Sequence, residues 1–367
     1  MDDTAREQKA IEEEQRRTFE QSVLPPLDIS DLEERAKGGT IDDLAFEIFK
    51  ETASIVTCCA SAYIAHKPQD AITHPRNQAI CIGLLVRLVK FMRAIMAIVS
   101  QSGDLGEVIL ALLRCLGETS VSLRYLIYKN DQTIFDEYIR AGLGPDAALY
   151  DEIQVNISER RGTVLPIEER MLSSIARVCQ VSDVSIDDIP RKHTEWGGGL
   201  KKRLKELGIE DLYVGFQRIP SHAVHGTWGD LVLNHLKQTT TGFSPRLESK
   251  PVDSRHLLPI CLFILLAVRD YVEFYLAGTL PIIQRIADLE NRINTVNEAH
   301  EICINRADGI QHRPNRLSRT RRKKFIINPR TLLKTEGNLA LGHLYFDYLA
   351  SESRRSPKFL DDALQNK

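Results

Sequence analysis

The chain has 367 residues, of which 43% are apolar and 27% charged, so it can bury a real core and wholesale disorder is excluded. Its 48 Lys and Arg nearly balance its 50 Asp and Glu, and the formal net charge of −2 excludes a polycation that binds nucleic acid over its whole surface. The 7 cysteines are scattered without a C-x-x-C pair, which indicates reduced thiols and a cytoplasmic protein rather than a disulfide framework or a zinc site.

The N-terminal segment, residues 1–38, is charged and helix-prone, which is typical of a helical extension and not of a signal peptide. The longest apolar run, Leu257–Val268, ends at Arg269. Because a helix needs about 20 apolar residues to span a bilayer, this run predicts a buried core helix and no membrane partner.

Helical periodicity runs through almost the whole chain, and no convincing series of alternating strands appears. The sequence therefore predicts an all-α helical bundle with a long C-terminal amphipathic helix and charged terminal extensions. The predicted domains are the extension at 1–38, a helical core at 39–280, the long helix at 281–308, and a basic segment with a tail at 309–367. Helices are predicted, in chain order, at Asp42–Ala65, Asn77–Ser100, Glu107–Lys129, Thr133–Ala141, Leu200–Leu207, Pro220–Gln238 and His256–Ala277. The fourth of these is expected to stop at Gly142, and residues 144–189 are expected to mix short helices with loops.

Pro281 is expected to open the long C-terminal helix. Its apolar positions follow steps of 4, 3, 4 and 3, which form a heptad seam: Ile282, Ile286, Leu289, Ile293 and Val296. This seam either packs against the chain's own core or forms a contact between two copies in a homodimer.

A block of basic residues without any acidic residue follows the long helix. Such a block is either a solvated loop or a site that attracts a phosphate backbone. It carries only one aromatic residue, Phe325, so it does not indicate base stacking. The predicted nucleic-acid-binding residues are Arg316, Arg319, Arg321, Arg322, Lys323 and Lys324.

Several familiar catalytic signatures are absent from the sequence. The glycine run Gly197–Gly199 lacks the flanking residues of a phosphate-binding loop, and neither G-x-S-x-G nor H-E-x-x-H occurs. The sequence therefore predicts no cofactor and no metal. A site built on His222 and His225 is a weaker alternative, because no third ligand is evident.

One segment, which we call the Trp196 segment, concentrates polar and aromatic chemistry between His193 and Trp228, and its last part is a helix begun by Pro220. Arg218 and His225 are candidate catalytic residues because a neutral imidazole exchanges a proton with a ribose hydroxyl, while a guanidinium stabilises phosphoryl charge. Ser221, His222 and Tyr213 are candidate supporting residues. The alternative is a structural hydrogen-bond cluster in which Arg218 pairs with a carboxylate.

Arg114 and Glu118 lie four residues apart in an apolar helix, where charged side chains are expensive unless they are paired. They either pair with each other or place Glu118 where it orients Arg218 or His225.

These residues form a recognisable order: Arg114 and Glu118, then Trp196-Gly-Gly, Lys-Arg-Leu-Lys-Glu-Leu-Gly208, Tyr213, and Ser221-x-x-x-His225-Gly226. The pattern resembles a bacterial family known as domain of unknown function 5677, over roughly residues 105–236. More remotely, Arg-x6-His in a helical bundle is similar to the HEPN superfamily, whose members include metal-independent ribonucleases of phage defence and toxin–antitoxin systems with sites formed between two protomers. The resemblance implies a phosphate-binding Arg218 and a catalytic His225. This sequence departs from the superfamily's pattern directly after the arginine, at Ile219 and Pro220. These two residues put Arg218 ahead of the helix.

Two hypotheses follow. The first is a HEPN-like endoribonuclease that leaves 2′,3′-cyclic phosphate ends, acts on RNA, and forms a homodimer or pairs with a partner protein of the same system. The second is a non-catalytic helical module that binds a partner protein or a nucleotide.

Overall fold

The computed structural model describes residues 32, 34, 41–62, 74–101, 106–191, 195–213, 217–248, 254–276 and 280–307. The predicted extension at 1–38 is described only at Leu32 and Glu34, and the basic segment and tail at 309–367 lie outside the described residues. The proposed boundaries between core, long helix and extensions therefore stay predictions.

The described part of the chain is all-α apart from one short hairpin, which confirms the predicted fold class. The longer helices are α1 (Ile41–Ser61), α2 (Arg76–Gln101), α3 (Gly106–Lys129), α4 (Gln132–Glu159), α5 (Pro166–Ser182), α6 (Leu200–Glu206), α7 (Ile219–His225), α8 (Ser254–Tyr275) and α9 (Leu280–Ala307). The hairpin strands are β1 (Leu236–Thr239) and β2 (Gly242–Pro245).

The chain divides into two compact units. The first unit joins Met1–Arg124 to Asp211–Lys367, and the second is the intervening stretch Tyr125–Glu210. The core domain predicted from the sequence at 39–280 contains the whole second unit and only part of the first, and this division was not predicted.

The core of the first unit is built around α8, whose residues from Leu257 to Val268 are all buried. Helix α8 packs on α1 and α9, and α1 also packs on α2 and α9. The apolar run therefore forms a core helix, as predicted. Among the described residues, no helix is long and apolar enough to cross a membrane.

Helix α9 begins at Leu280 with Pro281 in its first turn, as predicted. All five seam residues are buried, and the helix packs against α8 and α1 of the same chain. The first interpretation of the heptad pattern is thus confirmed, because the seam is occupied within the chain.

Ion pairs tie the buried helices of this unit together. Arg124 on α3, of which only 2% of the side chain is exposed, donates from Nε to an Asp270 oxygen on α8 at 2.8 Å. Glu51 on α1 is fully buried and contacts Arg285 on α9. Burial raises the pKa of the Glu51 carboxyl, and this effect outweighs the opposing charge of Arg285.

In the second unit, the prediction that a helix stops at Gly142 is wrong. Helix α4 continues through Gly142 and Pro145 to Glu159. Leu143 and Ala147 bury themselves against residues of α5, and this packing offsets the local penalty of a proline inside a helix, which is about 3 kcal/mol. Residues 144–159 are therefore helical instead of a mixture of short helices and loops.

A ring cluster around Trp196 organises the other end of the second unit. The Arg203 guanidinium lies 3.9 Å from the centre of the Trp196 ring, and Tyr125 and Tyr138 pack against it edge-on with ring centres 5.8 and 5.0 Å away. Gly197 follows in the left-handed region at φ 59°. A Cβ atom there would lie 2.9 Å from the Tyr125 ring, so the glycine run serves a tight turn beside the cluster.

The predicted helix Pro220–Gln238 is also wrong in its second half. Helix α7 ends at His225, a single turn follows at Trp228–Asp230, and a π-helical turn runs over Leu231–His235. Gln238 lies in β1, where it faces Phe243 of β2 in an antiparallel pair. The break comes at Gly226, whose φ of 55° is left-handed and favours glycine.

Candidate functional site

The predicted catalytic pair lies on and just before α7. Arg218 occupies the position ahead of the helix, as Pro220 implied, but its φ of −68° and ψ of −49° are already helical. Gln217 and Arg218 form a π-helical turn that leads directly into α7. Arg218 and His225 are therefore joined by helical backbone.

Seven positions separate Arg218 from His225. On helical backbone this spacing places two residues on one side, about 10 Å apart along the axis. Both side chains are exposed. Cβ atoms tilt toward the N-terminus of a helix, so the imidazole leans toward the turn that carries the arginine.

Neither Arg218 nor His225 forms an ion pair with a carboxylate in the described part of the chain. Glu118, the carboxylate that could have oriented them, pairs with Arg114 instead. Its Oε1 accepts a hydrogen bond from Arg114 Nε at 2.8 Å, along one face of α3. The alternative in which Arg114 and Glu118 pair with each other is confirmed. No contact between Glu118 and Arg218 or His225 supports the orienting role.

The supporting residues of α7 use their polar atoms locally. The Ser221 hydroxyl donates to the Gln217 carbonyl one turn earlier. His222 Nδ1 lies 2.8 Å from the Thr227 hydroxyl, just beyond the end of the helix. Tyr213 is half-buried before α7. Ser221 and His222 thus stabilise the two ends of the helical segment that carries the predicted catalytic pair.

A second polar group, which was not predicted from the sequence, is formed by Asp230 and His235. Asp230 is buried, and its Oδ2 lies 3.3 Å from Nε2 of the half-exposed His235. The other carboxylate oxygen accepts a hydrogen bond from Asn234 Nδ2 at 2.9 Å. The two residues are five apart, a spacing that diverges on an α-helix and meets on the π-helical turn seen here.

Two exposed aromatic rings lie beside this group. Trp228 and Phe243 pack edge to face with ring centres 5.4 Å apart and planes at 83°. Phe243 reaches the tryptophan because β1 and β2 fold back on each other. No periodic pattern links these positions in the sequence.

A separate cavity of about 260 Å³ opens between α1 and α2. Its lining combines two cationic side chains with hydroxyl and apolar groups: Lys50, Ala53, Ser54, Thr57, Arg93 and Met96. Lys50 Nζ also contacts Glu47 at 2.6 Å.

The predicted nucleic-acid-binding residues from Arg316 to Lys324 lie outside the described residues, as does His193 of the Trp196 segment. Within the described ranges, no group of three or more His, Cys, Asp or Glu side chains could hold a metal ion.

Comparison with known proteins confirms the family resemblance. Residues 78–243 match the model of a family described as "Family of unknown function (DUF5677)". The match runs from α2 to the hairpin, so it contains the predicted catalytic pair, the Asp230–His235 group and both exposed rings. No curated protein and no solved structure matches the chain.

Proposed function

We propose that this protein is a metal-independent endoribonuclease, similar to the HEPN superfamily, in which Arg218 and His225 act on one phosphodiester. The observation that carries the proposal is the placement of an exposed guanidinium and an exposed imidazole on one side of a continuous helical segment, without a described carboxylate that neutralises the arginine.

The chemistry needs these two groups, the RNA itself and solvent water. The ribose 2′-oxygen attacks the adjacent phosphorus, the bond from phosphorus to the 5′-oxygen breaks, and a 2′,3′-cyclic phosphate remains. His225 either accepts the 2′-hydroxyl proton or donates a proton to the departing 5′-oxygen, the two roles of an imidazole in general acid–base catalysis, and solvent water performs the other transfer. Arg218 binds the nonbridging oxygens and stabilises the charge that builds on them.

The same proposal includes an RNA-binding segment, a cellular role and a dimer. The basic residues from Arg316 to Lys324 would help to hold RNA, and the protein would work in the cytoplasm, in phage defence or a toxin–antitoxin system. Two copies would bring two sites together. Because the α9 seam is filled by the chain's own core, such a dimer would use another surface.

The test is cleavage of mixed RNA in EDTA by the wild type, His225→Ala and Arg218→Ala. General acid–base catalysis contributes about 10²–10⁴-fold, so we expect His225→Ala to lose activity by that factor. Arg170→Ala is the matched control, because Arg170 is exposed on α5 in the other unit. The products should carry cyclic phosphate ends. Undiminished cleavage by His225→Ala, or intact RNA with a folded wild type, would overturn the proposal.

The cavity between α1 and α2 favours the second hypothesis, a helical module that binds a nucleotide. Its volume of about 260 Å³ lies below the range of about 300–1,000 Å³ that is usual for small-ligand sites, so it would hold only part of a nucleotide. Arg93, and Lys50 beside its partner Glu47, supply positive charge for a phosphate group. Calorimetric titration with ATP is the test. Binding that Lys50→Ala and Arg93→Ala both weaken, in a protein that leaves RNA intact, would favour this function, and absence of binding would contradict it.

A further inference from the structure

We propose that Trp228 and Phe243 form a stacking platform for an unpaired nucleobase, so that single-stranded RNA is the substrate class of this site. The inference rests on the proposed nuclease function and extends it from the phosphodiester to the base beside it. We call Trp228 and Phe243 together the Trp228 platform.

Both rings of the Trp228 platform are largely exposed to solvent. Trp228 is 61% exposed and Phe243 is 50% exposed, although each ring already covers part of the other. Large aromatic side chains normally bury most of their surface, and a contiguous exposed pair marks a binding surface. Every nucleobase has a flat face that stacks on such a ring.

The backbone around the Trp228 platform holds the two rings in place before any ligand arrives. Phe243 is fixed by its pairing with Gln238 in the hairpin. The pairing is extended by the Arg246 backbone N–H, which donates to the His235 carbonyl at 2.9 Å. The Arg246 side chain donates to the Leu233 carbonyl at 2.7 Å, which ties the strand to the π-helical turn. Preorganised rings lose little freedom when they bind.

The position of the platform connects it to the catalytic pair. Trp228 follows His225 by three residues, so their Cα atoms are at most about 10 Å apart. Thr227, which contacts His222 at 2.8 Å, also accepts a hydrogen bond from the Asp230 backbone N–H and so caps the turn that begins with Trp228. A base on the tryptophan would therefore belong to a nucleotide near the scissile phosphate.

Charge favours nucleic acid over an apolar protein partner at this surface. Residues 217–248 contain three permanent cations, Arg218, Lys237 and Arg246, and three histidines. Of the two acidic residues in this stretch, Asp230 is buried beside His235, which leaves Glu248 as the exposed one. Cationic residues close in the chain to exposed aromatic rings are a combination that single-stranded nucleic acids bind.

The experiment uses 2′-O-methyl RNA, which lacks the attacking hydroxyl and stays intact whether or not the protein is a nuclease. The chain has 2 tryptophans, and Trp196 lies in the ring cluster of the second unit. We expect a single-stranded 12-mer to quench the Trp228 fluorescence of the wild type, and its duplex to quench it far less.

Affinities of the variants come from anisotropy of a labelled 12-mer. Base stacking on an aromatic ring contributes enough that Trp228→Ala should weaken binding about 5-fold to 150-fold, with a similar loss in Phe243→Ala and a smaller one in Trp228→Phe. Leu247→Ala is the control, because Leu247 is an 89% exposed apolar residue of the same hairpin region and is not part of the platform. It should bind like the wild type.

Equal binding of duplex and single strand, or wild-type affinity in a folded Trp228→Ala, would overturn the platform while leaving cleavage by His225 intact. A Trp228→Ala that changes the solution mass without changing RNA affinity would assign the rings to a protein contact and would also overturn it. Failure of the nuclease is a separate result, since it appears as intact natural RNA and not as a change in binding of the 2′-O-methyl strand.

Discussion

Glu206 in the second unit receives two donors on one carboxylate oxygen. Lys129 Nζ lies 2.6 Å and the Tyr125 hydroxyl 3.0 Å from Glu206 Oε2. The hydrogen bonds from Lys129 and Tyr125 lower the pKa of the Glu206 carboxyl below its ordinary 4.5. The ionised form is thus stabilised by folding, and its contribution is present above pH 4.5 and lost as the pH falls through the lowered pKa.

Replacing Glu206 with glutamine should therefore lower the free energy of unfolding at pH 7 by about 1 kcal/mol, because the charge-assisted bonds become neutral ones. The difference between the variant and the wild type should shrink as the pH falls below 4.5. Urea unfolding at pH 7, 5 and 3 measures it. A difference that grows toward low pH would contradict this assignment.

Gly197 offers a second test at the residue scale. Gly197→Ala places a methyl group 2.9 Å from the Tyr125 ring on backbone at φ 59°, so we expect a loss of about 2 kcal/mol in the free energy of unfolding.

The control for this substitution is Gly142→Ala. Gly142 lies inside α4 with no atom within 4 Å of an added Cβ, so alanine there should stabilise the protein by about 0.5–1 kcal/mol. Equal effects of the two substitutions in thermal unfolding would mean that the turn at Gly197 does not need a left-handed residue.

At the scale of elements, the pair Arg124–Asp270 joins α3 to α8. Asp270→Asn leaves a buried guanidinium without its counter-charge and should lower the free energy of unfolding by about 3–5 kcal/mol. The double variant Arg124→Met with Asp270→Leu removes both charges and should lose less than the single one. Chemical denaturation of the three proteins checks the order, and a double variant less stable than Asp270→Asn would contradict it.

The elements that the sequence predicted well are those whose local signals agree with their packing. The apolar run of α8 and the proline at the start of α9 are such signals. The end of α4 was predicted wrongly because Gly142, Gly144 and Pro145 are local stop signals that packing of Leu143 and Ala147 overrides. The hairpin was missed because its turn, Thr240–Thr241, lacks the Asn-Gly type of signal.

The candidate site likewise has one part that the sequence predicted and another that it did not. The spacing of Arg218 and His225 is readable from the sequence, because both lie on one stretch of helical backbone. The contact of Asp230 with His235 depends on a π-helical turn, and that of Trp228 with Phe243 depends on strand pairing across fifteen positions. Neither is encoded in the period of an α-helix.

At the scale of the whole molecule, burial separates the thiols of the described residues into two classes. Burial raises the pKa of Cys81 and of Cys261 to about 12, and it also raises that of Cys59. Cys58 and Cys115 are only half-buried. The reactive form of a cysteine is its thiolate. Burial both keeps a reagent away from a thiol and, by raising its pKa, lowers the fraction of thiolate, so both effects slow the labelling of buried cysteines.

We therefore expect N-ethylmaleimide at pH 8 to label Cys58 and Cys115 of the native protein before Cys81 and Cys261. About one in 10,000 of the latter thiols is ionised at that pH, given a pKa of about 12. Peptide mass spectrometry of timed samples gives the order, and protein unfolded in guanidinium should label evenly. Early labelling of Cys261 in the native state would show that α8 is accessible.

The first unit is interrupted in the sequence by the second, since Tyr125–Glu210 separates its two parts. A ribosome adds residues from the N-terminus at about 5–20 per second, so all of the interrupting stretch emerges before α8 and α9 exist. During that interval α1 carries Glu51 and its apolar face without the helices that will cover them. The nascent chain is therefore exposed to aggregation for some seconds, and chaperones that shield apolar helices would act at this stage of synthesis.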